Sequence, residues 1–157
     1  MKTAIVVSDT HGNVKELLKL LPLFEENDYI FHLGDGLDDL LRLPAHLHKK
    51  IVCVSGNCDL SGEDDEKLLT IEGVKIFMTH GHRYGVKGSP LKLLLRGKEL
   101  GADICFYGHN HRADAEKIDG VYLVNPGTLT RTAAKKTFCY CVFSDGKVTP
   151  VINDKFF

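Results

Sequence analysis

The chain has 157 residues, 43% of them hydrophobic and 26% charged, the balance of a globular domain that buries a core without staples. Its formal net charge of -1 argues against a broad basic face for long nucleic acid. No apolar run approaches the roughly 18 residues that a membrane span needs.

The opening MKTAIVVSDTHGN has one lysine and reaches Ser8 and Asp9 after a short apolar run. That is too brief for a secretory signal, and residues 2–8 are expected to form the first strand. Over 13–25, Val14, Leu17, Leu18 and Leu21 follow the i, i+3, i+4, i+7 spacing of a helix, which Pro22 should end or kink. A strand at 29–33, a short helix at 37–43 and strands at 50–55 and 74–79 follow. Ser89-Pro90 opens another helix, with Leu91, Leu94 and Leu95 on one face and a stop near Gly101. Strands are then expected at 103–107, 112–118, 120–124, 137–143 and 147–152, the last two joined at Ser144-Asp-Gly-Lys147 as an antiparallel hairpin.

The early strands are nearly continuous apolar runs, as in sheets covered on both faces. Strand–helix alternation is clearest before residue 60 and weakens afterwards. The pattern therefore favours one mixed α/β (α+β) domain over 1–157, with two packed sheets and helices outside, over one doubly wound sheet. The cysteines, Cys53, Cys58, Cys105, Cys139 and Cys141, are odd in number and mostly in apolar segments. They are expected to be reduced core thiols of a cytoplasmic protein.

Five short polar blocks carry the chemistry: Asp9-Thr-His11, Gly34-Asp35, Gly56-Asn57, Thr79-His80-Gly81-His82 and Gly108-His109-Asn-His111. Almost every block directly follows an expected strand. An extended i, i+2 pair places its Cα atoms about 6.6 Å apart on one side, so Asp9 with His11, and His109 with His111, are able to converge on one ion or serve two neighbours. Two dications about 3.5–4 Å apart form a clamp for displacement at phosphorus. Their mutual repulsion calls for a shared carboxylate, and Asp35 is the candidate bridge. With Asp9, Asp35 and a hydroxide counted, the centre stays positive and attracts a phosphate ester. Imidazole, carboxylate and carboxamide donors suit manganese, iron, zinc, nickel or cobalt. His32 is read as a core histidine, and His46 and His48 as part of a solvated loop.

In this order the blocks resemble the calcineurin-like metallophosphoesterase superfamily, whose signature runs D-x-H, G-D, G-N, H, G-H-x-H. The likeness spans Asp9 to His111, with a further similarity at Asn125-Pro-Gly-Thr128. It is strongest to the small single-domain prokaryotic phosphodiesterases. The resemblance implies a four-layer αββα sandwich of two mixed β-sheets flanked by helices. It implies two divalent ions per chain, manganese by preference: one held by Asp9, His11, Asp35 and His111, the other by Asp35, Asn57, His80 and His109. It also implies hydrolysis of a small phosphate ester by a metal-activated hydroxide, with Asn57 and Asp35 at the reacting centre. Family members often self-associate, but no surface stripe here establishes a homo-oligomer.

One departure stands out. Many members have histidine directly after the Gly-Asn pair, and here the residue is Cys58. A thiol is a poorer cation and weaker donor to phosphate than imidazolium, which favours diesters over unactivated monoesters and leaves Cys58 a weak catalytic candidate. Asp59 is expected to orient a histidine. His82 either touches substrate or stands at the pocket rim. Arg83 and Lys87 either meet phosphate oxygens or lie in a solvated loop. The alternatives are a phosphomonoesterase of the same mechanism and a non-catalytic protein-binding scaffold of the retromer-subunit type, which the intact ligand set disfavours.

Overall fold

Period-two alternation sets the first strand: Ala4 and Val6 enter one core cluster and Ile5 and Val7 another, all fully buried. The computed structural model describes residues Met1–Phe157. In chain order it contains β1 (Lys2–Val7), α1 (Val14–Leu18), α2 (Leu21–Glu26), β2 (Tyr29–His32), β3 (Ile51–Cys53), β4 (Glu66–Ile71) and β5 (Val74–Thr79). These are followed by α3 (Leu91–Leu100), β6 (Ile104–Phe106), β7 (Asp114–Ile118), β8 (Val121–Asn125), β9 (Phe138–Ser144) and β10 (Lys147–Asn153).

The strands form two five-stranded mixed sheets, ordered β10-β9-β1-β2-β3 and β4-β5-β6-β8-β7. Strands β1, β2 and β3 run parallel, as do β5, β6 and β8. Antiparallel strands complete the edges. Between the sheets, Phe31, Met78, Ile104, Phe106 and Phe143 share one buried cluster. There Phe31 meets Phe106 edge-on at 5.8 Å, a geometry that adds about 0.5–1.5 kcal/mol beyond area burial. The outer face of the first sheet is covered by Leu17, Leu20 and Phe24, and that of the second by Leu93 and Leu94. The expected αββα layering is present.

The helix expected over 13–25 is two short helices. Pro22 has no N–H to give Leu18 and its ring would crowd that carbonyl, so α1 stops and α2 restarts with the proline in its first turn. The segment 37–43 is a 3-10 helix over Leu37–Arg42. The supposed loop around His46 and His48 is a 3-10 helix over Ala45–Lys50. Its Lys50 Nζ donates to the carbonyls of Phe24, Glu25 and Asn27 at 2.8, 2.9 and 2.8 Å, closing the end of α2. Strand β4 was not expected. In α3, Leu93 and Leu94 are buried while Leu91 and Leu95 are about half exposed, so the core-facing stripe is offset from the one expected. All five cysteines are free and only Cys58 is exposed. No helix is long and apolar enough to cross a membrane.

Candidate metal centre

The parallel strands of both sheets finish at one edge of the sandwich, and their C-terminal ends carry the polar blocks. Such ends are where strand termini converge on a ligand. The seam is polar. His109 N–H donates to Asp9 Oδ2 at 3.0 Å, and His80 Nδ1 pairs with the Leu33 carbonyl at 2.7 Å, so each sheet holds a donor block of the other. That approach leaves no room for a side chain at Gly108, where a Cβ would meet Ser8 Oγ and sit 2.6 Å from Asp9 Oδ2. At Gly34, with φ +103, a Cβ would lie 2.5 Å from the Gly56 nitrogen and 2.9 Å from His80 Nδ1.

Two trios of donor atoms result: Asp9, His11 and His111, and Asp35, His80 and His109, the donors of each lying within 4.8 Å of one another. In the first, Asp9 Oδ1 is 3.2 Å from His111 Nε2 and 3.5 Å from His11 Nε2, and the two ring nitrogens are 3.3 Å apart. In the second, His80 Nε2 is 3.2 Å from both Asp35 Oδ2 and His109 Nδ1. Asp35 Oδ2 also lies 3.8 Å from His11 Nε2, so one oxygen faces both trios. Its partner Oδ1 is occupied by the Cys58 N–H at 2.7 Å.

The donors fit metal. Asp9 Oδ1 is buried without a hydrogen-bond partner, a costly state for a carboxylate unless a cation completes it. Ring nitrogens 3.2–3.3 Å apart match the separation of two imidazoles on one ion at about 2.1 Å from each. Burial alone would push the Asp9 carboxyl up, but the adjacent His11 and His111 rings, the nearby His80 and the Ser8 hydroxyl hold it well below the usual carboxylate range. Burial also opposes ionisation of Asp35, yet the His80 contact and the Cys58 N–H bring its pKa down to about 2. The Asp9 contact raises His11. In His80, burial is outweighed by Asp35 and Asp9, and its pKa rises. The site is anionic and already organised around positive charge.

The backbone cooperates in an unusual way. Asp9, His11, Asp35, His109 and His111 all have positive φ, from 43° to 72°, a region that non-glycine residues enter at some cost. Thr128 Oγ1 donates to the Asp9 carbonyl at 2.7 Å. Asn125 Nδ2 donates to Gly108 O at 3.2 Å and Asn110 Oδ1 at 2.8 Å. The Asn125-Pro-Gly-Thr128 turn is thus the brace of the two strongest blocks. Its Asn125 and Thr128 are fully or almost fully buried, and the family likeness at this turn was the sequence sign of a role.

Asp9, His11, Asp35, His80, His109 and His111 therefore come together. Asn57 sits exposed in the adjoining turn, where its amide nitrogen is 3.5 Å from Cys58 Sγ. Cys58 Sγ itself falls within reach of His11 and Asp35 donors. Asp59 orients no histidine; its carboxylate receives backbone N–H groups of the Asp35 and Gly56 turns. The His82 ring stands 5.5 Å from that of His80 and 6.1 Å from that of His109, at the side of the second trio. Arg83 is engaged in an ion pair with Asp65, and Lys87 lines a cleft next to His109.

Comparison with known proteins agrees with this geometry. Residues 1–146 match the calcineurin-like phosphoesterase superfamily domain. The chain is 37% identical over 142 residues to a probable metallophosphoesterase of Bacillus subtilis, YsnB, covering 89% of this chain and 82% of that one. It is 28% identical to the Escherichia coli phosphodiesterase YfcE, covering 83% and 80%. A crystal structure of a predicted phosphoesterase from Streptococcus pneumoniae superposes with a TM-score of 0.79 at 28% identity, covering 98% of this chain and 89% of the other.

Proposed function

The chain belongs to the calcineurin-like phosphoesterase superfamily and is a metal-dependent hydrolase of phosphoester bonds, and from that premise we propose a phosphodiesterase acting on small phosphodiesters at a two-ion centre. Asp9, His11, Asp35 and His111 hold one ion, and Asp35, Asn57, His80 and His109 hold the other. The observation that carries the two-ion reading is the position of Asp35 Oδ2, 3.2 Å from His80 Nε2 and 3.8 Å from His11 Nε2. Manganese is the preferred metal, and nickel, cobalt, zinc and iron suit the same donors. When bound, the ions supply Lewis acidity toward phosphoryl oxygens and lower the pKa of water toward neutrality.

The chain's own residues set what is bound and how. The seam fixes the donors before substrate arrives, so little reorganisation is left for the reacting complex. The Asn57 amide serves a non-bridging phosphoryl oxygen as well as an ion. Burial and the Asp35 charge push the Cys58 thiol above its ordinary value. A neutral S–H is a weak donor and brings no positive charge to a departing alkoxide. That supports diesters and good leaving groups over unactivated monoesters. Free thiols throughout support a reducing, cytoplasmic setting, and residues 1–157 act as one domain.

The test measures kcat/KM on a diester and a monoester of the same nitrophenol, in each metal, alongside metal content of the purified protein. Two ions per chain and a higher rate on the diester are expected, with Asn57→Ala and His109→Ala each reducing turnover by about a hundredfold or more, the size of losing one donor at the reacting group. Undiminished turnover in both variants defeats the assignment. A higher rate on the monoester replaces the diesterase with a monoesterase.

A further inference from the structure

Beside His109, the loop over 86–90 and the segment over 107–114 enclose a cleft of about 320 Å³. Both walls continue from the metal centre. The first leads on from the His80 block to Lys87, and the second carries Tyr107, His109, Asn110, His111 and Arg112 in succession. Asn110, which lies between His109 and His111 in the chain, lines this cleft, so the cleft adjoins the donor cluster.

Its lining is built for negative charge. Lys87 and Arg112 flank it, and neither has a carboxylate partner, whereas Arg83 and Arg96 nearby are paired with Asp65 and Glu99. Tyr107 is only 4% exposed and lines the cleft. Asn110 Oδ1 is occupied by Asn125 Nδ2 and the Arg112 N–H at 2.8 and 2.9 Å, which leaves its amide N–H groups as the free face. Asp114 is the one carboxylate among the lining residues.

We propose that this cleft binds a second anionic group, a carboxylate or a phosphate, carried on the alcohol portion of the diester substrate. The proposal rests on the phosphodiesterase reading above and narrows it: the preferred substrate is a phosphodiester with an additional oxyanion a few bonds from the scissile phosphorus. Lys87 and Arg112 supply the charge, and the Tyr107 hydroxyl supplies a fixed donor at the cleft wall.

The test compares 2-carboxyethyl 4-nitrophenyl phosphate with its carboxamide, and the 2-phosphonooxyethyl ester with its 2-hydroxyethyl counterpart, on the manganese-loaded full chain at low salt. The charged member of each pair is expected to have about tenfold higher kcat/KM, the size of one charge-assisted contact. Lys87→Ala and Arg112→Ala should each bring the ratio toward one, and Tyr107→Phe should lower it in part. The pair with the larger ratio identifies carboxylate or phosphate as the natural group. A wild-type ratio of one or less in both pairs, or a ratio that survives the double variant Lys87→Ala/Arg112→Ala, overturns the proposal. If no diester is hydrolysed, the phosphodiesterase reading falls, and the cleft is judged by calorimetric binding of 2-carboxyethylphosphonate against its carboxamide. Tenfold tighter binding of the acid, lost in the same variants, upholds the site; equal affinities overturn it.

Discussion

Asp59 holds Asp35 by its backbone: Asp59 Oδ2 accepts the Asp35 N–H at 2.7 Å. The same carboxylate takes the N–H groups of Gly36 at 2.9 Å, Leu37 at 3.0 Å and Gly56 at 2.8 Å, tying together two of the turns that carry donors. These bonds keep its pKa low against the effect of burial. Asp59→Asn converts one acceptor oxygen into a donor facing N–H groups. We expect a loss on the order of 2 kcal/mol, since hydrogen bonds to charged groups contribute roughly 1.5–3 kcal/mol. Manganese affinity should fall with it. Urea unfolding and metal titration check this, and unchanged metal affinity would show that the Asp35 turn stands without Asp59.

His32 predicts a dependence on acidity. Gly34 N–H donates to its Nδ1 at 3.0 Å, so the ring keeps its proton on Nε2, 3.0 Å from Thr10 Oγ1. Thr10 Oγ1 in turn donates to Asp39 Oδ2 at 2.6 Å. The ring is fully buried, and desolvation brings its pKa down from 6.5 to about 4. The unfolded chain takes up that proton near pH 6.5 and the folded chain only near 4, so between these values acid favours unfolding. The stability held by neutral His32 is complete above about pH 6.5 and is lost as the pH falls toward 4, about 3 kcal/mol in all. Unfolding of wild type and His32→Gln at several pH values checks this: the variant should show a shallower loss between pH 6.5 and 4, and parallel curves would contradict it.

Gly108→Ala tests the closeness of the sheets at the seam. The added methyl would meet Ser8 Oγ and Asp9 Oδ2, both buried and both following β1. Overpacking of this kind costs about 1–3 kcal/mol, and here the displacement falls on a metal donor. A lower melting temperature together with reduced manganese content is the expected pair of outcomes. Full metal content in a destabilised variant would place the strain elsewhere.

The donor blocks were legible because each is a chemically distinct cluster directly after an apolar run, and the sheets bring such run-ends together. The flanking supports were less so. Strand β4, with the sequence EKLLTI, lies at a sheet edge and is mostly half-exposed, so it lacks the apolar signal of β1 or β5. Its mark is the turn Glu72-Gly73, whose positive φ values of 51° and 77° match the hairpin turn that Asp119-Gly120 and Asp145-Gly146 also make. The role of Asp59 was missed for another reason. A carboxylate that serves backbone N–H groups has no sequence partner to betray it. His32 was rightly placed in the core, but nothing in Phe31-His-Leu33 announced that its ring would link the Thr10 and Gly34 turns.

The two sheets share no hydrogen-bonded ladder, and at the edge that carries the donor blocks His109 N–H to Asp9 Oδ2 and His80 Nδ1 to Leu33 O are bonds that cross between them. The candidate metal centre is in effect the latch of the sandwich. A breathing motion that parts the halves there would disperse the donors before it exposed much apolar core, so ion release should register the earliest loosening of the molecule, ahead of any change in its secondary structure.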